Sequence, residues 1–263
     1  NLTYSKNKIV FRDEPAMQNA YQKSEGTRYG EFYGYIAEGY FQSEEEIKKS
    51  PRQMRELAPG DIKYKDLNDD GVIDANDQCY LGKSWFPSWS YGMGFNINYH
   101  NFDLALFFQG VSDVSIMANG GSIDTGNGDW GASGVGIVPF TGMGLNPSNV
   151  ITKALDRWTA DNPRADAWYP RMTANATTND NNYVNSTHWL KDGSYLRLKQ
   201  ASLGYTLENK KLMDKGIEYL YFYLSGQNLL TFSKFKLWDP ELGSNGAKYP
   251  LSRMVTLGMR VSF

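Results

Sequence analysis

The sequence contains only one cysteine and two histidines, and it has no long apolar run. Cys79 alone excludes an internal disulfide and most thiolate metal sites. A membrane-spanning helix needs about 18 or more consecutive apolar residues, and no such run occurs. The 27 basic and 29 acidic residues are scattered and nearly cancel, so a general basic surface for nucleic acid is missing. Nucleophile elbows, phosphate-binding loops and zinc spacings are also missing, which argues against an enzyme.

Aromatic residues and glycine are abundant instead. The chain has 18 Tyr, 13 Phe and 7 Trp, together 14% of its residues, and 26 Gly. Without a long helical pattern, this composition predicts an all-β protein. Tyr and Trp also suit membrane interfaces, where one end of the ring is dry and the other is wet. Residues 1–11 already have the pattern of a strand and no initiating Met precedes them, so we expect a fragment of a longer protein.

The stretch 89–109 is the most regular part of the sequence. Large apolar side chains alternate with small or polar ones up to Tyr99, and the alternation resumes at Phe102 after two residues. Because successive strand side chains point to opposite faces, this predicts a tight hairpin with one apolar face. Each arm has about ten residues, close to the length of a tilted strand that crosses a bilayer. A soluble sheet that packs this face on a second sheet would show the same pattern, so the hairpin alone leaves both alternatives open.

Strand candidates along the chain are separated by connections of alternating length. Seven strands are predicted at roughly 2–11, 29–41, 89–100, 102–111, 194–206, 217–230 and 252–263. Counted back from residue 263, the connections contain about 21, 10, 82, 2, 47 and 17 residues. An up-and-down barrel in an outer membrane has short turns on the periplasmic side and long loops outside. The alternation therefore favours a transmembrane β-barrel over a sandwich with Greek-key connections.

Three local features refine this prediction. In the strand at 194–206 the parity of the apolar residues changes, so a β-bulge near Lys199 and Gln200 is expected to restore the apolar face. Ser43 is expected to cap a short polar helix that ends at Lys49. The last strand carries an apolar stripe that ends in Phe263, a pattern similar to the assembly signal of bacterial outer-membrane barrels.

An acidic loop at 66–77 has the spacing of a calcium-binding loop, D-x-N-x-D-G-x-I-D-x-x-D. Calcium takes six to eight oxygen ligands, which such a loop supplies from five side chains and one backbone carbonyl. The predicted metal ligands are the side chains of Asp66, Asn68, Asp70, Asp74 and Asp77 and the carbonyl of Val72. Flanking helices are missing, and Asp replaces the usual closing Glu. A structural Ca2+ is the preferred prediction, and an acidic turn without metal is the alternative.

Several aromatic residues fall in or beside the long connections. Trp130, Trp168 and Tyr169 are the candidates for substrate binding, because aromatic faces beside Asp and Asn stack on sugar rings and bind their hydroxyl groups. The alternative for each of them is packing of the loop onto the rim of the barrel.

Five segments, in order, carry a resemblance to a known family. They are residues 59–74 with the acidic loop, 91–110 with the hairpin, 193–205, 224–230 and 249–263. In this combination the chain resembles the C-terminal part of the SusC/RagA family of TonB-dependent outer-membrane transporters. The connections between these segments carry no specific signal.

The resemblance implies an all-β fold, in which about seven antiparallel strands form the C-terminal portion of a 22-stranded transmembrane β-barrel with long extracellular loops. Residues 1–263 would be a segment of that barrel, with the acidic loop and a long extracellular loop at 112–193, and the plug domain would lie upstream. The implied location is the bacterial outer membrane.

The resemblance also implies a function and its partners. The family imports oligosaccharides or, in some members, peptides. The implied partners are a SusD-like surface lipoprotein that acts as a lid, TonB, ExbB and ExbD as the source of energy, and outer-membrane lipid. Two alternatives outside the family are a secreted, calcium-stapled, carbohydrate-binding β-sandwich and a passive porin.

Overall fold

The computed structural model describes residues 1–119, 152–172, 180–244, 246 and 249–263. Its largest element is an antiparallel sheet of six strands, in which every strand pairs with its neighbours in chain order. These strands are β1 (Leu2–Tyr4), β6 (Trp89–Tyr99), β7 (Phe102–Ser112), β10 (Tyr195–Leu207), β11 (Tyr219–Ser233) and β12 (Met254–Ser262). This sequential order is the up-and-down arrangement that the alternating connections predicted, and the hairpin at 89–109 is confirmed.

The long connections lie at one end of the sheet and the short turns lie at the other. At the long-loop end lie the connections 5–88, 113–194 and 234–253, and at the short-turn end lie 100–101 and 208–218. The turn at 100–101 is tight, and His100 adopts a φ of 52° there. One end of the sheet therefore carries nearly all of the chain outside the strands.

The prediction of a barrel strand at 29–41 is wrong. The first barrel strand, which was predicted at 2–11, ends at Tyr4. Residues 31–40 form two short strands that pair with other parts of the same long connection. The backbone N–H of Tyr35 donates to the carbonyl oxygen of Asn185 at 2.9 Å, and a Cβ at Gly34 would lie 2.2 Å from that oxygen. Residues 31–40 therefore contact other connections and are not part of the large sheet.

The connections contain short elements of their own. The strands are β2 (Glu31–Gly34) paired with β5 (Cys79–Ser84), β3 (Ala37–Tyr40) paired with β4 (Ile62–Tyr64), and β8 (Ser115–Met117) paired with β9 (Leu190–Asp192). The helices are α1 (Glu44–Lys49), α2 (Asp180–Tyr183) and α3 (Lys210–Met213), with 3-10 turns at Ala20–Gln22, Ala75–Asp77, Thr152–Leu155 and Pro240–Leu242. The predicted cap of α1 is confirmed, because the Ser43 hydroxyl accepts the backbone N–H of Glu46. Across the ranges that the structure describes, no helix is long and apolar enough to span a membrane.

The register of the large sheet aligns the apolar residues of successive strands on one face. Phe95 lies opposite Leu106, Leu106 opposite Ala201, and Leu203 opposite Leu224, which in turn lies opposite Leu257. We call this side the apolar face and the opposite side the polar face. The register of β10 shifts between Leu198 and Gln200, which confirms the predicted bulge and keeps Leu196 and Leu198 on the apolar face.

The apolar face carries large side chains that remain exposed. Leu257 is 81% exposed and Met259 is 59% exposed, and both project from β12. The exposed members of this face on the other strands include Met93, Phe95, Ile97, Leu203, Leu224, Leu230 and Phe232. Soluble monomers rarely leave so large a continuous apolar surface in water. The buried core of the chain lies instead in the connections at the long-loop end.

Candidate functional site

The three long connections pack together at the long-loop end into one body, which we call the loop cap. Its main core draws side chains from residues 32–73 of the first connection and from residues 117–189 of the second. Its buried members are Phe32, Tyr35, Tyr40, Ile62, Tyr64, Ile73, Met117, Ala154, Trp158, Ala167, Tyr169, Tyr183 and Trp189. A second, smaller cluster joins Ile116 and Ala118 to Phe235 of the third connection. The loop cap is thus a structured body with its own interior.

A buried polar junction fixes the first connection to the second. The Asp61 side chain is 3% exposed, and its two carboxylate oxygens accept the Arg171 guanidinium at 2.9 and 2.8 Å. Asn182 donates to the same carboxylate at 2.7 Å and accepts the backbone N–H of Ile62 at 2.9 Å. The buried side chains of Asp61 and Asn182 therefore have hydrogen-bond partners, which burial in a low-dielectric interior requires.

A neighbouring amide pair extends this junction. Gln53 donates to the Asn181 side chain at 3.0 Å and accepts the backbone N–H of Tyr64 at 2.7 Å. The Tyr64 hydroxyl donates to the carbonyl of Asn181 at 2.6 Å, and burial raises the pKa of that phenol. None of these residues was predicted from the sequence, because the Asn-rich segment that contains Asn181 and Asn182 has the composition of an irregular loop.

A second junction fixes the third connection to the large sheet. Arg197 lies on the polar face of β10 and is almost fully buried, at 1% exposure. Its guanidinium pairs with Asp239 at 2.5 Å and with Glu241 at 3.6 Å, and it lies 5.4 Å from the centre of the Tyr195 ring. The turn at 239–243 therefore folds over the polar face. The available signal for this contact was an arginine between two leucines, Leu196 and Leu198, in β10.

The acidic loop folds around its own carboxylates. Asp66 accepts the N–H of Gly71 at 2.8 Å, and Asp70 accepts the N–H of Val72 at 2.9 Å. Asp77 is fully buried, and its two oxygens accept the N–H groups of Leu67 and Asp74 at 2.8 and 2.9 Å. The remaining predicted ligands are used in the same way, since Asn68 accepts the N–H of Asp70 and Asp74 accepts that of Asn76. Gly71, with a φ of 81°, permits the turn.

One oxygen atom of this loop is the main structural evidence that it can bind a cation. The Oδ1 oxygen of Asp66 is buried and has no hydrogen-bond partner within the described part of the chain. Within the same ranges no three His, Cys, Asp or Glu side chains are grouped as ligands of one metal ion, because these carboxylates turn toward backbone N–H groups. Each carboxylate has about four lone-pair sites, so accepting an N–H leaves capacity for a cation. The donor set fits Ca2+ in its chemistry, and Asp66 offers the oxygen that is free to bind it.

The aromatic candidates fall in three different settings. Trp130 lies outside the described residues. Tyr169 is fully buried in the core of the loop cap, and its ring lies 5.7 Å from that of Trp189, an arrangement that matches the packing alternative. Trp168 is partly buried and lies at the edge of an open cavity. Of the two that the structure describes, Trp168 is the residue whose position suits contact with a ligand.

A partly buried histidine and a partly buried lysine lie next to Trp168. His188 Nε2 lies 3.2 Å from the Trp168 carbonyl oxygen, and burial together with the Lys191 charge lowers the pKa of His188 to about 4. His188 is therefore neutral at pH 7. The Lys191 ammonium donates to the carbonyl of His188 at 2.6 Å and lies 5.3 Å from the centre of the Trp168 ring. These contacts fix the orientation of the indole ring.

The last residue of the chain, Phe263, follows β12 and is 90% exposed. Its predicted role as part of an assembly signal remains a prediction.

Known proteins resemble the chain in sequence and in fold. It is 30% identical over 248 residues to the TonB-dependent receptor P26 of Formosa agariphila, an alignment that covers 88% of the chain and 22% of that receptor. TonB-dependent receptor P3 of the same organism is 28% identical over 255 residues, with 91% of the chain and 22% of the receptor covered. The chain therefore spans about a fifth of the length of these curated relatives. No protein-family model matches the chain.

Solved structures of the RagAB peptide importer share the fold. In the closed-closed state the TM-score is 0.62 at 23% identity, covering 99% of this chain and 26% of the other. In the open-open state the TM-score is 0.60 at 22% identity, covering 95% and 24%. In sequence the chain is similar to part of these TonB-dependent receptors, and in fold it is similar to part of the RagAB importer, in agreement with the predicted SusC/RagA resemblance. Both of these curated relatives are named as receptors.

Proposed function

We propose that this chain is the C-terminal part of a 22-stranded outer-membrane barrel that imports oligosaccharides with energy from TonB, ExbB and ExbD. A SusD-like lipoprotein would cover the loop cap from outside. The observation that carries the proposal is the six-stranded up-and-down sheet with an exposed apolar face and all of its long connections at one end. The relatives named as TonB-dependent receptors support the energy source.

The two faces of the sheet suit a wall between lipid and a lumen. β6 and β7 have 11 residues each, and a tilted strand needs about 9–11 to cross a bilayer. In this arrangement the apolar face contacts lipid, which replaces the second sheet that the sandwich alternative requires. The polar face, with Asp103, Tyr221 and Arg260, lines the lumen. The loop cap then lies at the extracellular mouth, where a lid lipoprotein would dock.

Peptide import is the second candidate for the substrate. It is favoured by the fold similarity to RagAB, which is named as a peptide importer. Oligosaccharide import is favoured by the partly buried Trp168 at a cavity edge, because aromatic rings bind the apolar faces of sugars. The test of function therefore includes both kinds of substrate.

Uptake by living cells tests the proposal. Cells with the intact transporter are expected to take up a fluorescently labelled oligosaccharide, and uptake should stop when either this transporter or TonB is deleted. A passive porin would keep its uptake without TonB. Cells that take up a labelled peptide but no oligosaccharide would support the second candidate. A protein that is recovered without detergent as a soluble monomer would contradict both.

We also propose that Ca2+ occupies the acidic loop through Asp66, Asn68, Asp70, the Val72 carbonyl, Asp74 and Asp77. When bound, the ion would neutralise the clustered carboxylates and tie residues 66–77 together. The loop in turn positions its neighbours, because Tyr21 donates to the carbonyl of Asn76 and Gln22 donates to that of Ala75. A stiffer loop reduces the ordering cost when the lid docks.

Replacing Asp66 and Asp70 together with asparagine is expected to loosen this loop, because both substitutions weaken cation binding while keeping an oxygen acceptor. For the native protein, a calcium chelator should speed proteolytic cleavage between residues 60 and 80 by roughly tenfold, the equivalent of about 1.4 kcal/mol of local stability. The double variant should be cleaved quickly with or without chelator, and its complex with the lid should be weaker.

The control is Asp69→Asn, which removes one charge from the same loop at a position outside the predicted ligand set. Asn tolerates the left-handed backbone at this position, where φ is 57°. This variant should retain its response to chelator. Equal cleavage of the native protein with and without chelator would contradict the calcium proposal.

A further inference from the structure

An open cavity of about 570 Å3 lies in the loop cap between the second and third connections. Its volume is within the range of small-molecule binding sites, roughly 300–1,000 Å3. The residues that line it are Thr152, Lys153, Trp168, Lys191, Asp192, Lys234, Phe235, Lys236 and Leu237. Lys234 directly follows β11, and Asp192 ends β9 three residues before β10 begins. The cavity therefore lies at the end of the sheet where the predicted mouth is.

The lining of this cavity has an excess of positive charge, with four lysines and one aspartate. Lys153 pairs with Asp156 at 2.7 Å, outside the lining, so its charge is partly offset. Lys191 is partly buried, and burial lowers the pKa of its ammonium group. Lys234 and Lys236 are exposed and stand on either side of the buried Phe235. A negatively charged ligand would relieve the mutual repulsion of these ammonium groups.

The apolar part of the lining is fixed in place by local hydrogen bonds. The Ser233 hydroxyl accepts the backbone N–H of Phe235 at 3.1 Å and donates to the carbonyl of Ser194 at 2.8 Å. The Phe235 ring packs edge-on against Trp238 with 4.6 Å between ring centres, and the Trp238 indole donates to the carbonyl of Gly243 at 2.7 Å. A cavity with fixed walls needs little ordering when it binds a ligand.

We propose that this cavity binds an acidic sugar unit, one that bears a carboxylate or a sulfate, and that it selects anionic oligosaccharides among the substrates of the transporter. The inference rests on the proposed import of oligosaccharides. Lys234, Lys236 and Lys191 bind the anionic group, while Trp168, Phe235 and Leu237 contact the apolar side of the ring. Asp192 supplies an acceptor for a sugar hydroxyl.

The lining favours a sugar over a peptide. Peptides are commonly bound through backbone hydrogen bonds to an open strand edge or by an apolar groove for a helix. This cavity instead offers side-chain ammonium donors and a few aromatic surfaces, and among its lining residues only Asp192 and Thr152 have a side-chain oxygen acceptor. An acidic sugar has a fixed anion beside a flat apolar ring face, which matches this combination.

The proposal is tested by calorimetric titration of the full-length transporter, purified in detergent. The probes are trigalacturonate, its uncharged methyl ester and triglutamate. The variant is Lys234→Gln with Lys236→Gln, and the matched control is Lys210→Gln with Lys211→Gln, which removes two exposed lysines of α3 at the short-turn end. We expect the acid to bind and the ester to bind at least tenfold more weakly. The cavity variant should lose about tenfold in affinity for the acid, and the control should match the native protein.

Four results would overturn the assignment. They are equal affinity for acid and ester, an unchanged affinity of the cavity variant, an equal loss in the control variant, and preferential binding of triglutamate that the cavity variant abolishes. Equilibrium binding in detergent does not require energised transport, so it is independent of the uptake test. If TonB-dependent uptake of a neutral oligosaccharide is observed and trigalacturonate does not bind, the cavity proposal fails alone.

Discussion

Replacing Asp61 with alanine is expected to open the loop cap. The substitution removes the carboxylate that accepts Arg171 and Asn182, and it leaves a partly buried guanidinium and a buried amide without their acceptor. Breaking a buried ion pair by removing one partner costs about 3–5 kcal/mol. Hydrogen exchange of the backbone amides of Ile62 and Tyr64, which donate to Asn182 and Gln53, should then accelerate by roughly a hundredfold or more.

The matched control uses a second Asp–Arg pair of the same cap. Asp166 pairs with Arg164, but its side chain is 83% exposed, so water screens the pair and Asp166→Ala should leave the exchange rates of the Ile62 and Tyr64 amides close to those of the native protein. Similar exchange rates in Asp61→Ala and in the native protein would show that the cap does not depend on this junction.

The second substitution with a large expected effect lies on the apolar face and should lower the amount of folded barrel. Leu106 lies on this face between Phe95 and Ala201, and the adjacent Ala105 lies on the polar face between Asn96 and Ser202. An arginine that faces lipid near the middle of the bilayer destabilises a barrel by about 2–4 kcal/mol, whereas lumen positions tolerate charge. Leu106→Arg should therefore reduce the amount of folded barrel in outer membranes severalfold.

Ala105→Arg is the control for this substitution, since it introduces the same side chain one residue away and on the opposite face. Its folded fraction, read from the heat-modifiable band on gels, should remain close to that of the native protein. If both variants were reduced equally, lipid would not be what covers the apolar face.

The large sheet could be predicted in considerable detail because its register obeys a local rule. Alternation over 89–109 places every side chain on one of two faces, and the change of parity in β10 located the bulge at Lys199. The prediction of a barrel strand at 29–41 was wrong because this local rule says nothing about which strands pair. Its residues have strand-like composition, but alternation does not reveal whether a strand pairs in the wall or, as here, with Cys79–Ser84 and Ile62–Tyr64 in a connection.

The loop cap was beyond prediction from the sequence because its contacts are nonlocal. Asp61 and Arg171 meet across 110 positions, and neither residue belongs to a recognisable motif. Trp168 and Tyr169 are adjacent in sequence and equally aromatic, yet one borders a cavity and the other is enclosed. That difference depends on which residues pack around each ring. The local sequence does not reveal those residues, because they are distant in the chain.

The span between Asp61 and Arg171 also sets an order of events during biogenesis. Residues 31–80 can pair within their own connection, but the Asp61–Arg171 junction and the core side chains of residues 154–189 join them only when about a hundred further residues are present. Contacts between distant positions form slowly, because a long stretch of chain must close before they are made. The hairpin formed by β6 and β7, whose contacts are local, is therefore expected to pair before the loop cap closes.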